Sequence, residues 1–164
     1  MKYFYLDASA LAKRYAPETG SSIVDHLFTR VPPARLIVSA LGLAEVASIL
    51  VRKHDSGKLS TANLSQVLID FKVEITSVAA IKKVTADLTL IVAAISLIVQ
   101  HSLNATNAIL LCSAIDLTID LSARGDDLVL VASDDRLLRA AQAEGLLFFN
   151  PEIQTTADLD QLLV

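Results

Sequence analysis

Residues 2 to 15, KYFYLDASALAKRY, pass from a strand-forming run into a helical one at a single carboxylate, Asp7. Tyr3 to Leu6 predicts a buried strand, and Ala8 to Tyr15 predicts the helix that follows it. A buried carboxylate without a partner is costly, because it loses its hydration. We therefore expect Asp7 either to cap the helix or to bind a ligand at the end of the strand.

The composition predicts one aliphatic domain. The chain has 164 residues with 53% hydrophobic residues, and its mean hydropathy is +0.53. This length suits a single core, which we assign to residues 1–150, followed by a docked or flexible tail at residues 151–164 with Thr156 as its helix cap. The lone cysteine, Cys112, excludes an internal disulfide and a cysteine-based zinc site, and it fits a reducing compartment.

The charge limits how the chain can meet nucleic acid. The formal net charge is −4 at pH 7, and only 5% of the residues are aromatic. An acidic protein does not attract phosphate backbones as a whole, and few aromatic rings are available for base stacking. Any contact with nucleic acid must therefore be local or mediated by a metal ion.

The sequence predicts no membrane span. Leu88 to Val99, LTLIVAAISLIV, is the most apolar stretch, but it falls short of the ~20 residues that a bilayer requires. We read it as a buried helix. The first residues show no secretory cleavage pattern, so we expect a cytoplasmic protein.

Strand-like and helical runs alternate along the chain, which predicts an α/β fold. Continuous apolar strands separated by helices indicate a three-layer α/β/α sandwich with a mainly parallel, roughly five-stranded Rossmann-like sheet. The predicted strands are Tyr3 to Leu6, Arg35 to Val38, Val73 to Ile75, Leu128 to Ala132 and Leu146 to Phe149. The predicted helices are Ala8 to Tyr15, Ser21 to Arg30, Ala40 to Asp55, Ser60 to Phe71, Val78 to His101, Asn104 to Leu121 and Arg136 to Ala143.

Acidic residues interrupt apolar surroundings at three places that such a sheet brings to one edge. Asp7 follows the first strand, and Asp134 and Asp135 follow the fourth. Glu45, the only charged residue between Arg35 and Arg52, lies in the helix after the second strand. Ligands of open α/β sheets bind beside the carboxyl ends of the strands. Oxygen-rich pockets of this kind suit Mg²⁺ or Mn²⁺.

Each acid also has a purely structural interpretation. Asp7 and one of Asp134 and Asp135 could cap the helices that follow them, which is worth about 1 kcal/mol. Glu45 could lie on a solvated face or pair with a basic residue. These interpretations stay open for each acid taken singly, and it is the combination of three acids that favours a metal site.

Four segments resemble the four acidic motifs of the PIN domain family, and the chain is most similar to the VapC-type ribonuclease toxins. The segments are YFYLDASALAKRY, LGLAEVASILVRK, LNATNAILLCSAI and LVLVASDDRLLRAA. The resemblance implies a Rossmann-like fold and metal-dependent cleavage of RNA phosphodiesters. It places the first, second and fourth acids at Asp7, Glu45 and Asp135. These three acids hold one metal ion, and a second ion would depend on a substrate phosphate or on Asp134. Ser9 and Ser133 match the small hydroxyl positions that support the acids.

The third motif departs from the family pattern, because Asn107 stands where the family usually has an aspartate. An asparagine keeps a carbonyl oxygen for a cation but loses the negative charge and cannot act as a general base. Metal binding should therefore weaken. Asn107 is a tolerated ligand variant in an active nuclease, the mark of a homologue that binds without cutting, or an introduced substitution that tames a toxic protein.

Basic residues near the motifs are candidates for contacts with the RNA backbone. They are Lys13, Arg14, Arg52, Lys53, Arg136 and Arg139. For any single one of them, a solvated helix face is the favoured interpretation. The three histidines, His26, His54 and His101, lack metal-type spacing, and we expect them to be non-catalytic.

The predicted function is a Mg²⁺- or Mn²⁺-dependent endoribonuclease. The resemblance implies an RNA substrate, a homodimer and, for a toxin, an antitoxin segment in the acidic cleft. The alternative is a catalytically weak or inactive PIN scaffold that binds RNA or an antitoxin. A nucleotide-binding Rossmann protein is disfavoured, because no G-x-G-x-x-G motif follows the first strand.

Overall fold

The structure, a computed structural model, describes residues 1–163, which form five strands and eight α-helices. The strands are β1 (Lys2–Leu6), β2 (Leu36–Ser39), β3 (Lys82–Val84), β4 (Asp127–Val131) and β5 (Leu147–Phe149). All neighbouring strands pair in parallel, in the order β3-β2-β1-β4-β5. β1 is therefore central, and the carboxyl ends of all five strands lie at one edge of the sheet.

Helices cover both faces of this sheet. They are α1 (Ala8–Leu11), α2 (Ser21–Arg30), α3 (Ala40–Asp55), α4 (Thr61–Phe71), α5 (Leu88–His101), α6 (Ala105–Ser122), α7 (Asp135–Ala143) and α8 (Thr156–Leu163). Alternate residues of β1 serve two cores, because side chains of a strand point to opposite faces. Phe4 and Leu6 join the core under α1 to α4, and Tyr5 joins the core under α5 to α7. The predicted three-layer α/β/α sandwich is confirmed.

The third strand was predicted in the wrong place. Val73 to Ile75 belongs to a π-helical turn, Lys72–Thr76, that continues α4. The strand is Lys82–Val84, inside the region predicted as one helix from Val78 to His101, and α5 begins only after its cap, Asp87. β3 is a short edge strand with two lysines, and lysines protect such edges from pairing with other chains. It therefore lacks the apolar run that marks the central strands.

The prediction that Leu88 to Val99 is buried is also wrong. Only Ala94 and Leu97 of α5 are buried, and Leu88, Val92 and Val99 are each more than half exposed. One face of the helix packs against α6 and the core, while the large side chains of the other face are exposed. An all-apolar sequence could not show which face would be covered.

One helix within residues 1–163, α6, passes a test of length and mean hydropathy (1.3) for a membrane span. Half of that segment is buried inside the molecule. Leu110, Leu111 and Ala114 of α6 lie fully inside the core between the sheet and the helices α5 to α7. We therefore assign α6 to the protein core.

The C-terminal segment packs against the first half of the chain. Leu159 of α8 is fully buried, and Oδ1 of Asp160 accepts a hydrogen bond at 2.9 Å from Nε2 of His26 in α2, in the tautomer that carries its proton on Nε2. Thr155, one residue before the predicted cap Thr156, exchanges hydrogen bonds with Asp158 at the start of α8. This reciprocal pair is a capping arrangement and fixes where the helix begins.

Candidate functional site

Asp7 ends β1 and is almost completely buried. Its side chain is 4% exposed, and its backbone N–H donates to Val131 O of β4 at 2.9 Å. The carboxylate accepts hydrogen bonds from the backbone N–H of Ser9 at 2.9 Å and from the Ser9 hydroxyl at 2.5 Å. Asp7 thus caps α1 as one interpretation predicted, and it also faces the edge of the sheet.

Burial raises the pKa of Asp7, because the charged form loses its hydration. The hydrogen bonds from Ser9 lower this pKa, and the negative charge of Asp134 raises it further. Asp7 and Asp134 are therefore close enough to repel each other. A cation between the two carboxylates would relieve that repulsion.

Asp134 connects the end of β4 with the start of α7. Its Oδ1 accepts hydrogen bonds from the backbone N–H groups of Arg136 and Leu137, both at 2.9 Å, and so caps α7. Its Oδ2 accepts a hydrogen bond from Nδ2 of Asn107 at 3.2 Å. One oxygen of the carboxylate thus caps the helix, and the other contacts Asn107.

Asn107 lies in the first turn of α6, where the third motif was predicted. Its side chain is 6% exposed, and its backbone N–H donates to Oδ1 of Asn104, the cap of the helix, at 2.8 Å. The hydrogen bond to Asp134 places Asn107 beside the acids. The amide donates to a carboxylate there, where an aspartate would instead add a further negative charge.

Glu45 reaches the same place from the second turn of α3 and is half-buried. Burial raises its pKa, the hydroxyl of Thr106 beside its carboxylate lowers it, the negative charge of Asp7 raises it, and the positive charge of Arg52 lowers it. Thr106 was not predicted as a site residue, although it directly precedes Asn107. Four elements thus bring Asp7, Glu45, Asn107 and Asp134 to one edge of the sheet.

Asp135, the residue on which the fourth acid was expected, does not join this group. It is exposed and lines a separate cleft of about 300 Å³ with Arg139 and Phe148. Because Asp134 is the cap, Asp135 is the first helical residue, and successive helical residues turn by about 100°. The structure therefore places Asp134 in the site in place of Asp135.

Ser9 and Ser133 lie beneath the acids. The Ser9 hydroxyl donates to Asp7 and accepts a hydrogen bond from the backbone N–H of Ser133 at 2.9 Å, which joins the ends of β1 and β4. Oγ of Ser133 is buried and finds no hydrogen-bond partner within residues 1–163. An unpartnered buried hydroxyl next to these acids has a lone pair and a proton available for a ligand.

Two of the predicted RNA contacts are occupied by structural ion pairs, which corrects the prediction. Lys13 is 2% exposed and pairs with Glu18 and Glu152 at 3.1 and 2.5 Å. Arg14 binds Glu74 through two nitrogens, pairs with Asp25 and stacks on the ring of Phe28. These partners come from distant parts of the chain, so the local sequence could not reveal them.

The other basic residues differ in their access to the site. Arg52 is exposed near Glu45, and the exposed Arg136 donates to the backbone oxygen of Ser102 at 3.1 Å, just before α6. Lys53 pairs with Glu18 at 2.5 Å, and Arg139 lines the cleft of Asp135. The histidines hydrogen-bond elsewhere: His26 to Asp160, His54 to Asp55 and Thr61, and His101 to Glu144.

Comparison with known proteins identifies the fold. PAE2754 from Pyrobaculum aerophilum aligns at a TM-score of 0.61 with 19% identity, over 98% of this chain and 88% of its own. The Mycobacterium tuberculosis VapC20, a sarcin-ricin loop cleaving toxin, aligns at 0.61 with 15% identity, over 93% and 99%. FitAcB from Neisseria gonorrhoeae aligns at 0.59 with 14% identity, over 92% and 99%.

The chain has the PIN-domain fold. No protein-family model and no curated protein matches the sequence. At these low identities the structural likeness establishes the PIN fold, and the chemistry has to be argued from the residues of the site.

The donor atoms at this site of the PIN fold suit a hard cation, but the side chains supply too few of them. Carboxylate, amide and hydroxyl oxygens are the donors that Mg²⁺ and Mn²⁺ prefer. Within residues 1–163, however, no group of three His, Cys, Asp or Glu side chains lies close enough to hold a metal ion. A cation at Asp7, Glu45 and Asp134 would need further oxygens, for which Oδ1 of Asn107 and a substrate phosphate are candidates.

Proposed function

We propose that this chain hydrolyses RNA phosphodiesters with Mg²⁺ or Mn²⁺ and is the toxin of a toxin–antitoxin pair. The observation that carries the proposal is the meeting of Asp7, Glu45, Asn107 and Asp134 at one strand edge. Burial, and to a lesser extent the repulsion between these acids, raises the pKa of both Asp7 and Glu45. Such uncompensated negative charge favours the binding of a divalent cation.

Asp7, Glu45 and Asp134 would hold the cation, with the carbonyl oxygen of Asn107 as a further ligand. When bound, the cation lowers the pKa of a coordinated water and offsets the charge of the attacked phosphate. The residues of the chain position the groups: Ser9 orients Asp7, and the backbone of α7 orients Asp134. Arg52 and Arg136 lie beside the site as exposed cations for the RNA backbone.

The partners follow from the same proposal. The substrate is RNA, and an antitoxin segment would occupy the acidic cleft and block the cation. The fold neighbour VapC20 is a toxin that cleaves the sarcin-ricin loop, which supports this class of activity. Such a toxin acts in the cytoplasm, where its RNA is found.

An assay with end-labelled RNA tests the proposal. The wild-type chain should cleave RNA with Mg²⁺ or Mn²⁺, and EDTA should stop cleavage. Asp7→Asn should abolish it, because Asp7 is the acid held most firmly by the strand. The exposed acid Asp135→Asn is the matched control and should keep the wild-type rate. Cleavage that persists in EDTA, or in Asp7→Asn, would contradict the proposal.

A second candidate is a PIN scaffold that binds RNA or an antitoxin without cutting. Two observations favour it: Asn107 replaces the third acid, and no trio of metal-ligating side chains is preformed within residues 1–163. The two candidates differ in the assay above. A scaffold retains the labelled RNA in a filter-binding experiment but releases no product with either cation.

A further inference from the structure

A second cleft opens at the carboxyl edge of the sheet, one strand beyond the proposed cation site. Residues of α7, β5 and the turn after β5 line it, and its volume is about 300 Å³. The lining includes Leu138, Arg139, Phe148, Asn150, Ile153 and Gln154. We call this space the β5 cleft. Because ligands of open α/β sheets bind beside the carboxyl ends of the strands, the β5 cleft lies where such a fold accepts a ligand.

Asn150 directly follows β5 and supplies an open hydrogen-bond donor to the cleft. Only 4% of Asn150 is exposed, and its Oδ1 accepts a hydrogen bond from the backbone N–H of Glu152 at 2.9 Å. Within residues 1–163, its Nδ2 donates to no acceptor. Nδ2 is not sealed inside the protein either, because Oγ of Ser133 is the only sealed side-chain nitrogen or oxygen in this range that lacks a partner. Nδ2 therefore opens into the β5 cleft, which Asn150 lines.

Two neighbouring side chains on the cleft offer donors as well. Oε1 of Gln154 accepts a hydrogen bond from the backbone N–H of Asn150 at 2.8 Å, which leaves Nε2 of Gln154 as the free end of that amide. The exposed guanidinium of Arg139 has only donors. Asp135 also lines the cleft, but its carboxylate is exposed to solvent, where a charge attracts a ligand only weakly. The β5 cleft thus suits a ligand that carries acceptors.

The walls of the β5 cleft are apolar. Leu138 and Phe148 belong to the core beside α7, and Ile153 is 75% exposed. The volume is at the lower end of the usual range of about 300–1,000 Å³ for ligand pockets, which suits a single ring system. A nucleobase combines flat apolar faces with ring-nitrogen or carbonyl acceptors on its edge. Its faces pack on aromatic side chains, and its edge accepts hydrogen bonds from amide donors.

We propose that the β5 cleft binds one unpaired base of the RNA substrate, next to the phosphate held at the cation site. The choice of RNA as the ligand rests on the proposed ribonuclease function. Asp134 of the cation site and Asp135 of the cleft are consecutive residues, so their Cα atoms lie about 3.8 Å apart. A strand with a phosphate at Asp134 therefore brings a neighbouring base to the cleft. Nδ2 of Asn150 donates to the edge of this base, and Phe148 packs against its face.

NMR of the ¹⁵N-labelled chain in EDTA tests the β5 cleft without the cation and without cleavage. Single-stranded RNA tetramers that between them carry all four bases should shift the side-chain amide signal of Asn150. An abasic tetramer with the same phosphates should not. Asn150→Asp keeps the acceptor for Glu152 but loses the donor, so the tetramers should bind it at least about tenfold more weakly, as followed by the backbone signals of residues 148–154.

Asn63→Asp is the matched control, because Asn63 is exposed on α4, which packs on the opposite face of the sheet. It adds the same charge and should bind the tetramers as the wild type does. No shift of the Asn150 signal with any tetramer, an equal shift with the abasic tetramer, or undiminished binding by Asn150→Asp overturns the proposal. A shift that an apolar acidic peptide produces and RNA does not also overturns it, in favour of a protein ligand.

The NMR result and the ribonuclease assay can fail separately. A chain that cleaves RNA in the end-labelled assay but shows no base-dependent shift of Asn150 loses the β5 cleft as a base site and keeps its proposed function. A chain that shows the base-dependent shift but releases no product with Mg²⁺ or Mn²⁺ keeps the base site and loses the nuclease activity.

Discussion

Asp7 performs two tasks with one carboxylate. It caps α1 by accepting a hydrogen bond from the backbone N–H of Ser9. It is also buried at the end of β1, where its negative charge repels that of Asp134. A cap needs no negative charge, since asparagine caps helices as well as aspartate does. The charge of Asp7 therefore weakens the fold in the absence of a cation.

The pH dependence of stability should expose this cost. The pKa of Asp7 is raised in the folded protein, while in the unfolded chain it lies near the ordinary value of about 3.9. Between these two values the folded state binds the proton more tightly. The free energy of unfolding therefore falls as the pH rises through that window, by about 1.4 kcal/mol for each pKa unit of difference.

Urea unfolding in EDTA from pH 4 to pH 7.5 measures the effect. Asp7→Asn should be at least as stable as the wild type at pH 7 and should lose less stability as the pH rises. Glu45, whose pKa is also raised, contributes in the same direction in both proteins and leaves a smaller residual slope. If the unfolding free energy of the two proteins changed equally with pH, the pKa of Asp7 would not be raised in the folded protein.

Restoring the third acid should strengthen the proposed cation site. We expect Asn107→Asp to bind Mn²⁺ at least about tenfold more tightly, which corresponds to about 1.4 kcal/mol. It should also raise ribonuclease activity, because a carboxylate replaces an amide that now donates to Asp134. Titration calorimetry with Mn²⁺ measures the affinity of both forms.

Asn104→Asp is the matched control for this prediction. Asn104 is the cap of the same helix, and an aspartate there would keep the hydrogen bond from the backbone N–H of Asn107. It adds the same charge three residues earlier, at an exposed position. If both variants bind Mn²⁺ as the wild type does, Asn107 does not lie near the cation.

At the scale of elements, the start of α7 decides which of two adjacent acids belongs to the site. Asp134→Asn should still cap the helix but should weaken Mn²⁺ binding by about tenfold or more and abolish RNA cleavage, because it removes the charge facing Asn107. Asp135→Asn should leave Mn²⁺ affinity unchanged. Calorimetry on the two single variants measures the difference. The reverse order of effects would mean that Asp135 faces the cation and that α7 begins one residue away from its position in this structure.

The contact between the start of α2 and the C-terminal segment depends on a glycine. Gly20 has φ +87°, and a Cβ added there would lie 2.5 Å from the backbone oxygen of Pro151. Gly57 has a similar φ of +76° but open space around it. Gly20→Ala should therefore lose about 1–3 kcal/mol of unfolding free energy.

Gly57→Ala separates the two causes of that loss, because it carries only the backbone strain of about 1 kcal/mol. Urea denaturation of both variants gives the comparison. An equal loss in the two variants would show that the contact with Pro151 relaxes without cost.

Local sequence patterns correctly predicted the elements that have clear signals of their own. α2 and α3 begin and end at the predicted residues, because proline and glycine signals follow them. β3 was missed, since an edge strand of three residues needs pairing with β2 rather than its own sequence to form. A similar reason explains why α5 was wrongly predicted to be buried: Leu88 to Val99 is apolar apart from Thr89 and Ser96, and only the tertiary contacts with α6 select the inner face.

At the scale of the whole molecule, the site assembles because three strands end at one edge. Asp7, Glu45 and Asp134 are far apart in the sequence, and the parallel order of β2, β1 and β4 brings their elements together. The sequence could indicate this convergence from acids placed after strands. The sequence alone did not indicate whether Asp134 or Asp135 belongs to the site. It also did not indicate that Arg14 pairs with Glu74 and that Lys13 pairs with Glu152.

The central claim is that Asp7, Glu45 and Asp134 share one divalent cation. Anomalous X-ray scattering from crystals soaked in MnCl₂ tests it most directly, because the signal locates manganese independently of any activity. We predict a single anomalous peak within bonding distance, about 2–2.5 Å, of oxygens from these three carboxylates. A soaked crystal with ordered side chains here and no peak between them, or with Asp135 as the ligand, would contradict the account.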